Sequence, residues 1–66
     1  MNPIIQELQE TLKANDTVHI FVDTKPEALW IQEIEKIYDE KWFLAKHPSG
    51  NQNYLINVDH ISHVEI

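Results

Sequence analysis

Near the N-terminus, apolar residues recur at the spacing of one helical face. Asn2 precedes Pro3, an order that suits the cap and the first position of an α-helix. The apolar residues that follow at this spacing are Ile4, Ile5, Leu8 and Leu12. The pattern predicts an amphipathic helix over residues 3–14, ended by Asn15, a residue type that tolerates the left-handed conformation. Because so short a helix is marginal alone, we expect its apolar stripe to pack on the rest of the chain.

Beyond the helix, apolar and polar residues alternate with the period of β-strands. The segments with this pattern are residues 17–23, 28–37, 42–47, 54–58 and 63–66. β-Branched and aromatic residues are frequent in them, which favours the strand assignment. The alternation fails between Ile34 and Ile37, and this predicts a bulge or a bend near Glu35 and Lys36.

Polar turns separate the predicted strands. Residues 38–41 are expected to close a hairpin, and residues 47–53, which contain the only glycine, form the clearest loop. Residues 59–62 are typical of a tight turn of the 3₁₀ type. One helix followed by five short, bent strands indicates a mostly β fold, a small SH3-like barrel with an N-terminal α-helix as its cap. We expect a single domain over residues 1–66.

A chain this small needs a source of stability in addition to its hydrophobic core. A domain of this length buries a smaller share of its surface than a large one. It has no cysteine, so neither a disulfide nor a thiolate metal site can stabilise it. The four histidines show no zinc-site spacing, and we predict no cofactor and no metal. The last strand would leave an apolar edge unpaired, so we expect a homo-oligomer whose copies join strand to strand.

The charge balance limits the partners. Eleven acidic residues face five lysines, there is no arginine, and the net charge is −6. Because Lys and Arg supply most of the affinity for phosphates, we expect no binding to duplex DNA. A nucleic-acid ligand would be single-stranded and held by stacking or by local lysines. The sequence shows no signal peptide and no apolar run long enough to cross a bilayer, so we expect a cytoplasmic protein without a membrane partner.

Two segments resemble the motifs of the Sm-like family. Residues 38–44 carry the aromatic-Asp-x-x-apolar-apolar-Leu pattern of its first motif, and residues 54–64 resemble its second. With the Asn-Pro that opens the helix, the likeness covers nearly the whole chain and is greatest to the bacterial Hfq branch. The resemblance implies a ring, of six or seven subunits, that binds single-stranded RNA around its pore or on its faces.

Three residues are candidates for contacting RNA. By the resemblance, Asp39 would orient a nucleotide-binding loop and Lys41 would contact a phosphate or a base, while His60 is a candidate for stacking on a base. Each also has an ordinary interpretation, because an Asp in a hairpin turn bonds to nearby backbone and the other two are typical solvated turn residues. Where the Hfq branch contacts uridine with a Lys-His pair, this chain has Val58 and Asp59.

The two tryptophans also have two interpretations. Trp30 and Trp42 would serve as stacking platforms for bases, or, as we prefer, as core or interface residues. We predict that the chain is not an enzyme, because Ser49 and Ser62 lie in predicted turns and there is no phosphate-binding glycine loop. Two functions stay open. One is a ring-forming Sm-like protein that binds single-stranded RNA, and the other is an acidic homo-oligomeric protein-interaction module without nucleic-acid binding.

Overall fold

The computed structural model describes residues 2–66, and Met1, the first residue of the predicted domain, lies outside them. An N-terminal α-helix is followed by six strands, with a 3₁₀ turn before the last one. The elements are α1 (Pro3–Ala14), β1 (Val18–Val22), β2 (Leu29–Ile31), β3 (Glu33–Ile37), β4 (Trp42–Lys46), β5 (Asn53–Asn57), the 3₁₀ turn (Val58–His60) and β6 (Ile61–Glu65). The predicted class, mostly β with an N-terminal helix, is confirmed.

Helix α1 begins as its sequence predicts. The side-chain Oδ1 of Asn2 accepts a hydrogen bond from the Ile4 N–H at 2.8 Å, and Pro3 occupies the first turn. This bond satisfies one of the N–H groups that a helix start leaves without a partner. Ile5 and Leu8 are buried and Leu12 packs against the core as expected, whereas Ile4 of the predicted stripe is 45% exposed.

The end of α1 differs from the prediction. Asn15 is extended, with φ −134°, so the left-handed conformation expected for it is wrong. Its backbone N–H and its side-chain amide both donate to the carbonyl of Thr11, at 3.0 and 3.1 Å. Because two donors already satisfy this carbonyl, the helix ends without a residue of positive φ.

The six strands form two antiparallel sheets of three strands each. The strand order is β2–β1–β6 in the first sheet and β3–β4–β5 in the second, and hydrogen bonding closes neither into a barrel. The predicted count of five is wrong because the strand expected over residues 28–37 divides at Gln32. Its two parts, β2 and β3, belong to different sheets. The SH3-like barrel itself stays a prediction.

A bulge in β3 keeps two apolar side chains on one face. The pairing of β3 with β4 shifts register between Ile34 and Lys36, as the sequence pattern predicts near Glu35. An extra residue in one strand reverses the alternation of side chains beyond it. Ile34 and Ile37, three residues apart, therefore both pack against the core.

One cluster of buried side chains draws on α1 and on both sheets. Its largest fully buried members are Phe43, Ile5, Ile20, Ile31 and Val18. Trp30 and Trp42, in contrast, are 50% and 39% exposed, so neither lies in the core, and their alternative placement at an interface stays a prediction. Their strand neighbours take the inner positions instead, because adjacent side chains point to opposite faces of a sheet.

The last strand begins earlier than predicted. The 3₁₀ turn spans Val58–His60 rather than residues 59–62, and β6 starts at Ile61 rather than at residue 63. The cause is a cap: the side-chain Oδ1 of Asn57 accepts a hydrogen bond from the Asp59 N–H at 2.8 Å. This contact starts the turn directly after β5.

Candidate functional site

Asp39 closes the hairpin between β3 and β4. Its Oδ1 accepts hydrogen bonds from the N–H groups of Lys41 at 2.7 Å and of Trp42 at 3.0 Å. These two bonds, of which the one from Lys41 contributes more, hold the pKa of the Asp39 carboxyl below its ordinary value because they favour the ionised form. The positive charge of Lys41 lowers this pKa further, by a smaller amount. The contacts are those expected of a turn residue.

Lys41 connects the hairpin to the 3₁₀ turn. Its Nζ lies 3.1 Å from Oδ2 of Asp59, and its carbonyl accepts a hydrogen bond from the Val58 N–H at 2.7 Å. Both charged side chains are well exposed, and such surface pairs contribute about 0–1 kcal/mol. The ammonium group is therefore accessible to solvent but already lies beside a carboxylate.

His60 lies at the other end of this turn. Its Nδ1 lies 3.3 Å from Oδ1 of Asp23, and its carbonyl accepts a hydrogen bond from the Asp23 N–H at 2.9 Å. The three predicted residues thus surround the hairpin turn, the 3₁₀ turn and the end of β1. Because Lys41 and His60 each lie beside an acidic side chain, and Asp39 is itself acidic, this group offers little attraction to a phosphate.

A second candidate surface lies outside the site predicted from the sequence. On the outer face of the sheet β2–β1–β6, the rings of His19 and Trp30 lie 4.3 Å apart, centroid to centroid. The rings of Phe21 and His63 also lie 4.3 Å apart and are nearly parallel, at 8°. We call these four residues the aromatic face. Trp30 and His63 are exposed, and the other two are half-buried.

Strand register explains why the sequence did not reveal this face. The alternation in β1 places His19 and Phe21 together, but their partners come from other strands. Trp30 of β2 lies opposite His19, and His63 of β6 lies opposite Phe21. Pairing between distant segments decides such neighbours. Glu65, whose Oε2 lies 3.8 Å from Nε2 of His63, adds a negative charge at the border of the face.

Four strands are paired on one side only, β2 and β6 in the first sheet and β3 and β5 in the second. Because β2 has three residues and β3 carries Glu33, Glu35 and Lys36, features that disfavour edge association, the candidate edges are β5 and β6.

In β5, the pattern of hydrogen bonds to β4 shows which backbone N–H and C=O groups point away from the sheet. The Val58 N–H donates to the Lys41 carbonyl, and in an antiparallel pair every second residue bonds in this way. Tyr54 and Ile56 therefore bond to β4, whereas the N–H and C=O of Leu55 point to the free edge.

An apolar groove accompanies each of these edges. The β5 groove, of about 330 Å³, is lined among others by Val22, Leu29, Trp42, Leu55 and His60. The α1–β6 groove, of about 290 Å³, is lined among others by Ile4, Leu8, Thr11, Val64 and Ile66. Leu55 is 59% exposed at the first groove, and Ile66 is 77% exposed at the second. Bare backbone beside apolar side chains is the usual composition of an association surface.

Comparisons with protein-family models, with curated proteins and with solved structures find no match to this chain. Within residues 2–66, no three His, Cys, Asp or Glu side chains are arranged to hold a metal ion. No helix in the described part of the chain is long and apolar enough to cross a membrane. The features that bear on function are therefore the β5 and β6 edges, the two grooves and the aromatic face.

Proposed function

We propose that this chain is a cytoplasmic Sm-like subunit that assembles with copies of itself into a closed ring of six or seven. The observation that carries the proposal is that β5 and β6 are outer strands of different sheets. Unpaired edges of this kind attract another strand. Pairing β5 of one copy with β6 of the next covers one outer strand of each sheet in every subunit.

The path of the chain supports an SH3-like barrel as the subunit fold. Only Gln32 separates β2 from β3, so the chain passes from one sheet to the other like a single bent strand. The 3₁₀ turn Val58–His60 then leads from β5 in the second sheet back to β6 in the first. A small, partly open barrel has this order of pairing. The resemblance of the hairpin and the last strands to the Sm motifs supports the same fold.

A ring follows from the difference between the two edges. Because β5 and β6 belong to different sheets, a contact between them joins unlike surfaces of two copies. Such head-to-tail contacts generate either a closed ring or an open filament. A closed ring pairs the β5 and β6 edges of every copy, and it supplies the additional stabilisation that a 66-residue domain without disulfides needs.

Hydrogen exchange of single amides tests this assembly. We expect the Leu55 amide to exchange fast in the dilute chain and to become protected as the concentration rises, because β6 of a second copy covers it. The amide of Ile56 is the internal control, since it bonds to β4 in either state. An oligomer in which the Leu55 amide still exchanges fast would show that the copies do not join at β5.

A second candidate function is binding of single-stranded RNA on the aromatic face. The two ring pairs, His19 with Trp30 and Phe21 with His63, expose stacking surfaces on one side of a sheet. Base–aromatic stacking contributes about 1–3 kcal/mol per base and does not require arginine. Since the net charge of −6 repels phosphates, stacking would have to carry such binding.

Titration with labelled adenine-rich and uridine-rich oligonucleotides at low salt tests the RNA function. We expect Trp30→Ala to weaken binding about tenfold, the loss of roughly one stacked base. Tyr38→Ala is the matched control, because Tyr38 is equally exposed but lies outside the aromatic face. Lys41→Ala tests the predicted site separately. No binding of the unaltered chain at low salt excludes this function and favours the acidic homo-oligomeric protein-interaction module.

A further inference from the structure

We propose that the side chain of Leu55 in one copy of the chain occupies the α1–β6 groove of the next copy. The inference rests on the proposed ring and names the apolar contact that accompanies the strand pairing. Its occupant is a second copy of this chain, and three features of the structure support it: the position of Leu55, the position of the groove and the charges beside each.

Leu55 is placed where a neighbouring copy must meet it. It lies at the centre of β5, its backbone groups point to the free edge, and its side chain is 59% exposed. Leu55 lies opposite Leu44 of β4, which is half-buried, so the two leucines form an apolar row on the outer face of their sheet. Any strand that pairs with this edge therefore lies beside the Leu55 side chain.

The α1–β6 groove lies beside the opposite edge. Its walls come from three successive turns of α1 and from Val64 and Ile66. A strand that pairs with β6 would therefore lie beside Val64 at this groove. Leu8 is buried and Val64 half-buried at its floor, whereas Ile4 and Ile66 are 45% and 77% exposed at its sides. An exposed apolar side chain from the paired copy would remove this apolar surface from water.

The charges next to the two surfaces are complementary. Lys36 faces Leu44 and so lies in the same cross-strand row as Leu55. Glu7 is the acidic residue that lines the groove. Opposite charges at the rim of an interface favour the correct register and disfavour the reversed one. Where Leu55 of one copy meets the α1–β6 groove of the next, Lys36 of the first copy would thus approach Glu7 of the second.

Two charged variants and their mixture test this contact. Leu55→Asp keeps an intact groove, and Ile4→Asp keeps an intact Leu55. We expect each variant alone to be monomeric, because a carboxylate without a partner is costly to bury in an apolar groove. Mixed in equal amounts, they should form a heterodimer and nothing larger, since one intact Leu55 meets one intact groove. Native mass spectrometry of the full-length chains measures these masses.

The controls separate this contact from the ring itself. Trp30→Asp introduces the same charge at an exposed residue that lines neither groove, and it should assemble as the unaltered chain does. Circular dichroism verifies folding, and Ile66→Asp replaces Ile4→Asp should the latter not fold. A ring that survives Leu55→Asp, or a mixture that stays monomeric, overturns the contact alone. An unaltered chain that is monomeric at every concentration overturns the ring and the contact together.

Discussion

A single carboxylate fixes the central hairpin of this chain. Asp39 accepts two backbone hydrogen bonds across the turn that joins β3 to β4, and these bonds lower its pKa. The sequence alone predicts this role, because Asp in a polar turn commonly bonds to the backbone two or three residues further on. The ion pair of Lys41 with Asp59 was not predictable, since it depends on how the hairpin meets the 3₁₀ turn.

The role of Asp39 predicts a pH-dependent loss of stability. Asp39→Ala should lower the melting temperature at pH 7 by more than Glu40→Ala, the control in the same turn. Because the folded-state pKa is lowered, the stabilisation by Asp39 is complete above the unfolded value of about 3.9 and is lost as the pH falls through the folded value. Thermal unfolding at a series of pH values down to about 2 measures the difference.

Two results would contradict this role. One is an equal melting temperature for Asp39→Ala and Glu40→Ala at pH 7, and the other is a difference between them that persists unchanged at the acidic end. Asp39→Asn refines the test, because the amide oxygen still accepts the two hydrogen bonds while the charge is removed. We expect its melting temperature to lie between those of the unaltered chain and Asp39→Ala.

Secondary-structure elements were predictable where local patterns determine them. The cap of α1 and the inner face of β1 follow from residue types and spacing alone. The division of the second predicted strand at Gln32 does not, because it depends on which sheet each half joins. The tryptophans show the same limit: alternation groups residues into two faces but does not say which face is buried when both contain apolar side chains.

Adjacent residues of β2 test which face lies inside. Ile31 is fully buried, whereas Trp30 is half-exposed on the other face. Ile31→Ala should lower the free energy of unfolding by about 2–5 kcal/mol, the cost of emptying a core position. Trp30→Ala removes a larger side chain but should cost clearly less. Urea unfolding of both variants compares them, and a greater loss for Trp30→Ala would reverse the assignment of the two faces.

The N-terminal cap gives a second test on a single element. Asn2→Ala removes the side-chain oxygen that accepts the Ile4 N–H. We expect the free energy of unfolding to fall by about 1 kcal/mol, the usual cost of losing such a cap. Asn51→Ala, in an exposed loop, is the control and should change it little. Chemical unfolding followed by circular dichroism measures both, and equal effects would argue against a capped helix start.

At the scale of the whole molecule, the sequence and the structure single out different residues. Composition and an unpaired last strand predict association. The candidates Asp39, Lys41 and His60 came from motif likeness, and the structure places each beside backbone or acidic partners. The aromatic face and the α1–β6 groove combine residues far apart in the chain, so no local pattern reveals them.

Sedimentation equilibrium of the full chain over a wide range of concentrations tests the proposed ring most directly. The mass should reach six or seven times the 7.8 kDa of one chain and then stay constant, because every β5 and β6 edge in a closed ring is already paired. A mass of 7.8 kDa at every concentration would contradict self-assembly. A mass that grows without limit would contradict closure of the ring.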